Sequence, residues 1–350
     1  MDWAALGRGL GYAGALGVIG ATPAAGLLRA RGAAMPGAER VVRRVAVVAA
    51  LVLLVAAACR LVGQATAFLD PDEPLTFGTL RDIATGTNWG HRWFWQVGAA
   101  ALAGFIACAE RRGARQGTAA AGVLVALTLP LTGHAQEFPL GAAVGVAVQG
   151  LHVAAGGVWL GTLGVLAAAI AGSVRQWPAA ERLGALYDVA TRFSRFALAG
   201  AGVVVLAGVG LAVANLRSFG ALTSTAYGQL ILLKVALLLG VMGLGAWNWR
   251  RAVPALATPA GNSTAARHLA RSAAAEIALA VAVLAATAVL SGTDAPGLGH
   301  AEAAATAQRE RVATLTPSGP HTWPRASSRR PSDPGTPAPP SERRTSAPGS

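Results

Sequence analysis

The chain has 350 residues, of which 53% are hydrophobic and only 13% charged, and its mean hydropathy is +0.48. Soluble domains carry roughly 25% charged residues, so this composition excludes an ordinary water-soluble fold and predicts an all-α, polytopic membrane helix bundle. The formal charge of +13 does not call for a nucleic-acid partner, because membrane proteins gather arginine in their cytoplasmic loops. Cys59 and Cys108 fall in different apolar segments, which excludes a disulfide framework and a CxxC metal site and leaves both as small packing residues.

A bilayer-spanning helix needs about 20 mostly apolar residues. Eight segments qualify, at roughly 4–28, 45–68, 92–109, 117–133, 144–171, 196–215, 229–249 and 273–292, the third and fourth being short. The first follows Arg8 without a convincing small-residue cleavage site and is read as a retained span. Residues 1–293 thus form an expected membrane domain of about eight transmembrane helices. The connections divide sharply by charge. The first, third, fifth and seventh carry Arg29, Arg31, Arg40, Arg43 and Arg44, then Arg111, Arg112 and Arg115, then Arg175, Arg182, Arg192 and Arg195, then Arg250, Arg251, Arg267 and Arg271. The second, fourth and sixth carry only Arg81, Arg92 and Arg217. By the positive-inside rule the first set faces the cytoplasm, so both termini are expected outside.

Two connections have their own pattern. Residues 71–91 mix Leu75, Phe77, Leu80 and Ile83 with Asp72, Glu73 and Asp82, which predicts a short helix on the outer surface. Residues 177–195 place Leu183, Leu186, Val189, Ala190 and Phe193 at helical spacing, which predicts an amphipathic helix at the cytoplasmic interface. From 296 to 350 the chain holds ten of its 19 prolines among Ser, Thr, Ala and Arg; such a tail buries no core and is expected to be disordered.

Four ionisable residues fall within apolar segments: Arg8, Arg60, Lys234 and Glu276. Each costs about 2.5–3.5 kcal/mol at a helix centre, so each needs a partner, a route to the interface or a function. Lys234 is the single lysine beside 28 arginines. Glu276 begins the eighth segment from the cytoplasmic side, where Arg271 or Arg250 could pair with it. His152 stands about 12 Å into the fifth segment, and Trp159, two turns on, shares its face. His134 and Glu137 lie in the preceding turn and His91 at the outer start of the third segment. Imidazoles and a carboxylate near one surface could hold Cu, Zn, Fe or Ni, and spacing does not choose among them. The alternative for each histidine is a hydrogen-bonded structural role. Only Met1, Met35 and Met242 occur, so no thioether ladder exists. No GxxxxGK[ST] loop and no catalytic constellation is found, so neither ATP hydrolysis nor an enzymatic activity is expected.

At these residues the chain resembles the CopD family of copper-resistance and copper-uptake integral membrane proteins. The likeness rests on Gly133-His134-Ala135, HVAAGGVWLG from His152, RFSRFA from Arg192, YGQLILLK ending at Lys234, LGAWN ending at Asn248, and Glu276 in the last segment. It covers residues 120–295 as a family-like core, and GTNWGHRW extends it back to about residue 75. The resemblance implies an eight-helix inner-membrane protein that moves copper between periplasm and cytoplasm, often beside a periplasmic copper-binding partner. It makes His134 and His152 copper contacts and Trp159, Lys234 and Glu276 motif residues. Two alternatives stay open on the residues themselves: a haem electron-transfer protein with His134 and His152 or His91 as axial ligands, and an accessory that delivers copper to an oxidase without transporting it.

Overall fold

The computed structural model describes residues 2–30, 35–70, 72–109, 114–216, 218–257 and 262–293; the side chains of His134 and Glu137 lie outside the described residues, as does the expected tail from 296 onward. The described residues form nine labelled helices and no strand: α1 Trp3–Arg29, α2 Ala38–Thr66, α3 Phe77–Gly86, α4 Asn88–Cys108, α5 Ala114–Thr128, α6 Ala142–Gln176, α7 Arg182–Leu216, α8 Ala226–Ala255 and α9 Asn262–Leu290. Six of them, α1, α2, α6, α7, α8 and α9, are long and apolar enough to cross a membrane. The other two expected spans are also helical. The fourth is short, an apolar helix over Gln116–Thr132, and α4 begins among the polar residues Asn88, His91, Arg92 and Gln96. The short helix expected within 71–91 is α3, whose N-cap Thr76 accepts from the Thr79 amide at 3.1 Å.

One boundary differs from the sequence reading. Residues 177–195 do not form a separate amphipathic helix. The chain turns at Trp177 and Pro178, then runs from Arg182 to Leu216 as one helix of 35 residues. No proline or left-handed glycine interrupts it, so the amphipathic part and the apolar part share one axis. At about 1.5 Å per residue it outreaches a 30 Å hydrocarbon core, which leaves its first turns in the interface.

The connections collect at two ends. At one end a buried cluster joins Leu27, Leu28, Met35 and Ala38 around the first connection to Ala107 at the close of α4, Trp177 after α6, and Ala185 and Val189 at the start of α7. These are the arginine-rich connections. At the other end the Trp93 indole donates to the Ala57 carbonyl at 2.9 Å and the Arg8 guanidinium to the Ala288 carbonyl at 2.9 Å, tying α1, α2, α4 and α9. The charge asymmetry read from sequence is therefore a real asymmetry between two faces of the bundle.

The geometry also exposes a repeat. Thr87 caps α4 with φ −116° and ψ 151°, and Thr225 caps α8 with φ −116° and ψ 150°. Each hydroxyl donates back to the preceding helix at 2.6 Å, to the Ile83 and Ala221 carbonyls, and each accepts the amide of a glycine three residues on, Gly90 at 2.9 Å and Gly228 at 3.0 Å. The segments TGTNWG and TSTAYG carry this turn twice, each entered from a short helix. The helix order α1, α2, short helix, α4, α5 thus recurs as α6, α7, short helix, α8, α9.

The halves meet where α1 crosses α6. An added Cβ at Gly20 would stand 2.2 Å from the Gly161 carbonyl carbon, and one at Gly161 would stand 2.0 Å from the Leu16 carbonyl oxygen. Backbone rests on backbone, the close approach that small residues permit between membrane helices. Residues Gly157–Gly161 make a π-turn within α6. Its glycines face α1, while Trp159 between them turns towards α7 and α8. Gly164, one turn further, has open space around its Cβ direction. Gly161→Val is therefore expected to destabilise the fold by at least about 1–3 kcal/mol through overpacking, against a change within about 0.5 kcal/mol for Gly164→Ala. Thermal unfolding of the detergent-solubilised variants checks the contrast.

Candidate functional site

His152 stands on α6 with its ring half-buried against α7. The fit depends on Gly208, where a Cβ would meet the imidazole Cε1 at 3.2 Å. Ring atom Nδ1 is buried and has no hydrogen-bond partner. Lys234 of α8 makes no ion pair among the described residues. A buried polar nitrogen without a partner costs about 1–3 kcal/mol.

Below the ring the lining turns apolar. Trp159 is 5% exposed and packs with Ala155, Ala201, Val204 and Val241, with Leu238, Met242 and Leu279 against their edge. Past this layer α8 again makes a π-turn, Asn248–Ala252. There the buried Glu276 of α9 accepts from Asn248 Nδ2, and Asn248 Oδ1 stays buried without a partner. Glu276 thus takes the Asn248 amide, and no ion pair with Arg250 or Arg271 joins it among the described residues. Sequence reasoning named LGAWN as a motif but missed this role of Asn248; a polar residue opposite Glu276 in the last turns of a span was the available signal. It also set Met242 aside, although that side chain packs against the Trp159 cluster.

The remaining predicted residues are placed apart. His91 is exposed in the first turn of α4. His134 and Glu137 belong to a 3-10 turn between α5 and α6, and their side chains lie outside the described residues. No group of three or more His, Cys, Asp or Glu close enough to hold a metal ion occurs among the described residues.

The first half holds a second polar site at the corresponding depth. Gly11 lies nine residues before Gly20 as His152 lies nine before Gly161, and Gln96 follows Thr87 at the distance by which Lys234 follows Thr225. Gly11 and Gln96 line a cavity of about 20 Å³, room for about one water, with Arg60, Leu53, Val125 and Thr128. The Arg60 guanidinium donates to Gln96 Oε1 at 2.9 Å and to the Thr132 hydroxyl. Gln96 in turn donates to the Thr128 carbonyl at 3.0 Å and the Thr132 hydroxyl at 2.8 Å. In this half a fixed cation is met by neutral acceptors, where in the other half Nδ1 of His152 has no hydrogen-bond partner.

Comparison with known proteins bears on this arrangement. The family model of "Copper resistance protein D" matches residues 187–290, and that of "Copper resistance protein D-like, N-terminal domain" matches residues 2–139. The copper transport protein CutJ of Bacillus subtilis is 29% identical over 170 residues, covering 49% of this chain and 29% of that protein. The chain therefore spans less than a third of the curated relative it matches. No solved structure matches. The two models fall on the two halves that the repeated cap and the α1–α6 crossing delimit.

Removing the acceptor beside Arg60 strands its charge. Gln96→Leu is expected to destabilise the protein by about 1.5–3 kcal/mol, and Arg60→Met together with Gln96→Leu to recover most of that loss. Thermal midpoints of the two variants beside wild type measure the recovery.

Proposed function

The chain belongs to the copper resistance protein D family, and we propose that it carries copper ions across the inner (cytoplasmic) membrane through the space between α6, α7, α8 and α9. The observation that carries this reading is the buried, unpartnered Nδ1 of His152 against α7. An imidazole nitrogen is a good copper donor, and a thioether is a soft one. Along the same interface the donors come in steps: His152, then Met242 beside Trp159, then Asn248 Oδ1 with Glu276. Eight residues of α8 separate Lys234 from Met242, about 12 Å of rise, and six more reach Asn248.

Lys234 gives the first step its transport character. Its charge beside the ring repels a bound cation, so the ion is held strongly enough to enter and weakly enough to leave. Trp159 closes the apolar layer that separates the two polar ends, and motion of α7 or α8 against the π-turns would open it. The half-sites fit a division of labour in which α1, α2, α4 and α5 hold the frame while the second half handles the ion. In the orientation read from arginine both termini are outside and His152 accepts copper from the outer face, where His134 and a periplasmic copper-binding protein would supply it.

His152→Ala is expected to lower the copper retained by purified protein, and copper movement into reconstituted vesicles, by about tenfold or more. Wild-type values in both measurements would overturn the reading, and a Soret band in the purified protein would favour haem instead. Lys234→Met is expected to raise retained copper while slowing its release, read by metal analysis and by efflux from loaded vesicles.

A further inference from the structure

A groove unconnected with the copper path opens between α1 and α7 at the arginine-rich end of the bundle. It is an open groove of about 730 Å³ lined by Thr22, Pro23 and Leu27 of α1 and by Arg192, Arg195 and Phe196 of α7. Its inner wall is apolar except for the Thr22 hydroxyl, which is buried without a hydrogen-bond partner. Pro23 lies inside α1 and supplies no amide to the ladder, which leaves a carbonyl one turn earlier without its usual donor. At the mouth Arg192 and Arg195 are one turn apart on one face of α7, both exposed. Neither makes an ion pair among the described residues, whereas Arg29 at the same end bonds Glu39 at 2.7 Å. Beside them Phe196 and Leu198 are 45% and 70% exposed, so this face of α7 meets lipid and not a neighbouring helix.

We propose that the α1–α7 groove binds one anionic phospholipid, with its headgroup phosphate held by Arg192 and Arg195 and an acyl chain lying along Pro23, Leu27 and Phe196. Paired guanidinium groups match phosphate geometry and stay charged at any working pH. Two cations that make no ion pair among the described residues favour a lipid of net negative charge over a zwitterion. Basic pockets between transmembrane helices at the cytoplasmic side are a known form of headgroup site. The volume suits a headgroup and the upper part of its chains and far exceeds what a free phosphate needs.

The test uses the full chain in neutral detergent with added phosphatidylglycerol, phosphatidylcholine or inorganic phosphate. Phosphatidylglycerol is expected to raise the thermal midpoint by about 3 °C more than phosphatidylcholine, and inorganic phosphate to leave it unchanged. The double variant Arg192→Gln/Arg195→Gln should lose that difference, and Arg250→Gln/Arg251→Gln, at the same end on α8, should keep it. Ala199→Trp leaves both arginines and fills the groove, and it should lose the difference as well. Equal midpoints with the two lipids, the same rise with phosphate alone, or equal loss in the α7 and α8 double variants would each overturn the site. Retention of the full difference in Ala199→Trp would do so too.

Discussion

The fold depends on the contact of two backbones where Gly20 of α1 meets Gly161 of α6. In lipid no hydrophobic force drives helices together, so close van der Waals approach between bare backbones supplies the cohesion. This contact fixes the relation of the two halves. It also fixes the rotation of α6: once Gly157 and Gly161 are spent on α1, Trp159 and His152 are left for α7 and α8. The π-turn at the crossing is the backbone's answer to serving both neighbours from one short run.

Charges within the spans are handled by the same economy. Arg8 donates to the Ala288 carbonyl near the end of α9, which also accepts from the Ser291 hydroxyl, and Arg60 takes the amide oxygen of Gln96, which is oriented by its own bonds to Thr128 and Thr132. Glu276 is held by the Asn248 amide. Each arrangement substitutes a polar neutral group for a counter-ion and confines the cost of a buried charge. Lys234 makes no ion pair among the described residues, and Nδ1 of His152 has no hydrogen-bond partner. Buried polar atoms without a hydrogen-bond partner also occur at Thr22, Thr162, Thr191, Asn248 and Ser272.

The repeat gives this contrast a frame. Gln96 and Lys234 occupy equivalent places after equivalent threonine caps, and Gly11 and His152 equivalent places before the crossing glycines. One half has filled its position with Arg60 and a water-sized cavity. The other keeps a ring nitrogen free. The family models divide the chain along the same line, one on residues 2–139 and the other on 187–290.

The sequence alone determined the class of fold, because a membrane demands about 20 apolar residues per crossing and long apolar stretches recur along the chain. It determined the arginine asymmetry of the two ends for the same reason, since charge in a loop is local information. It also singled out His152, Trp159, Lys234 and Glu276, each visible as a residue whose chemistry is at odds with its apolar surroundings. Only the tertiary structure decided what those residues face. Helical periodicity says which side chains share a face but not which helix lies opposite. The glycine crossing of α1 and α6 left His152 to pack against Gly208, the packing of α9 on α8 brought Glu276 to Asn248, and His91 is exposed in the first turn of α4. The repeat escaped the sequence reading because two membrane helices can share a register while sharing few residues: lipid constrains their polarity, and only the caps and the crossing constrain their identity.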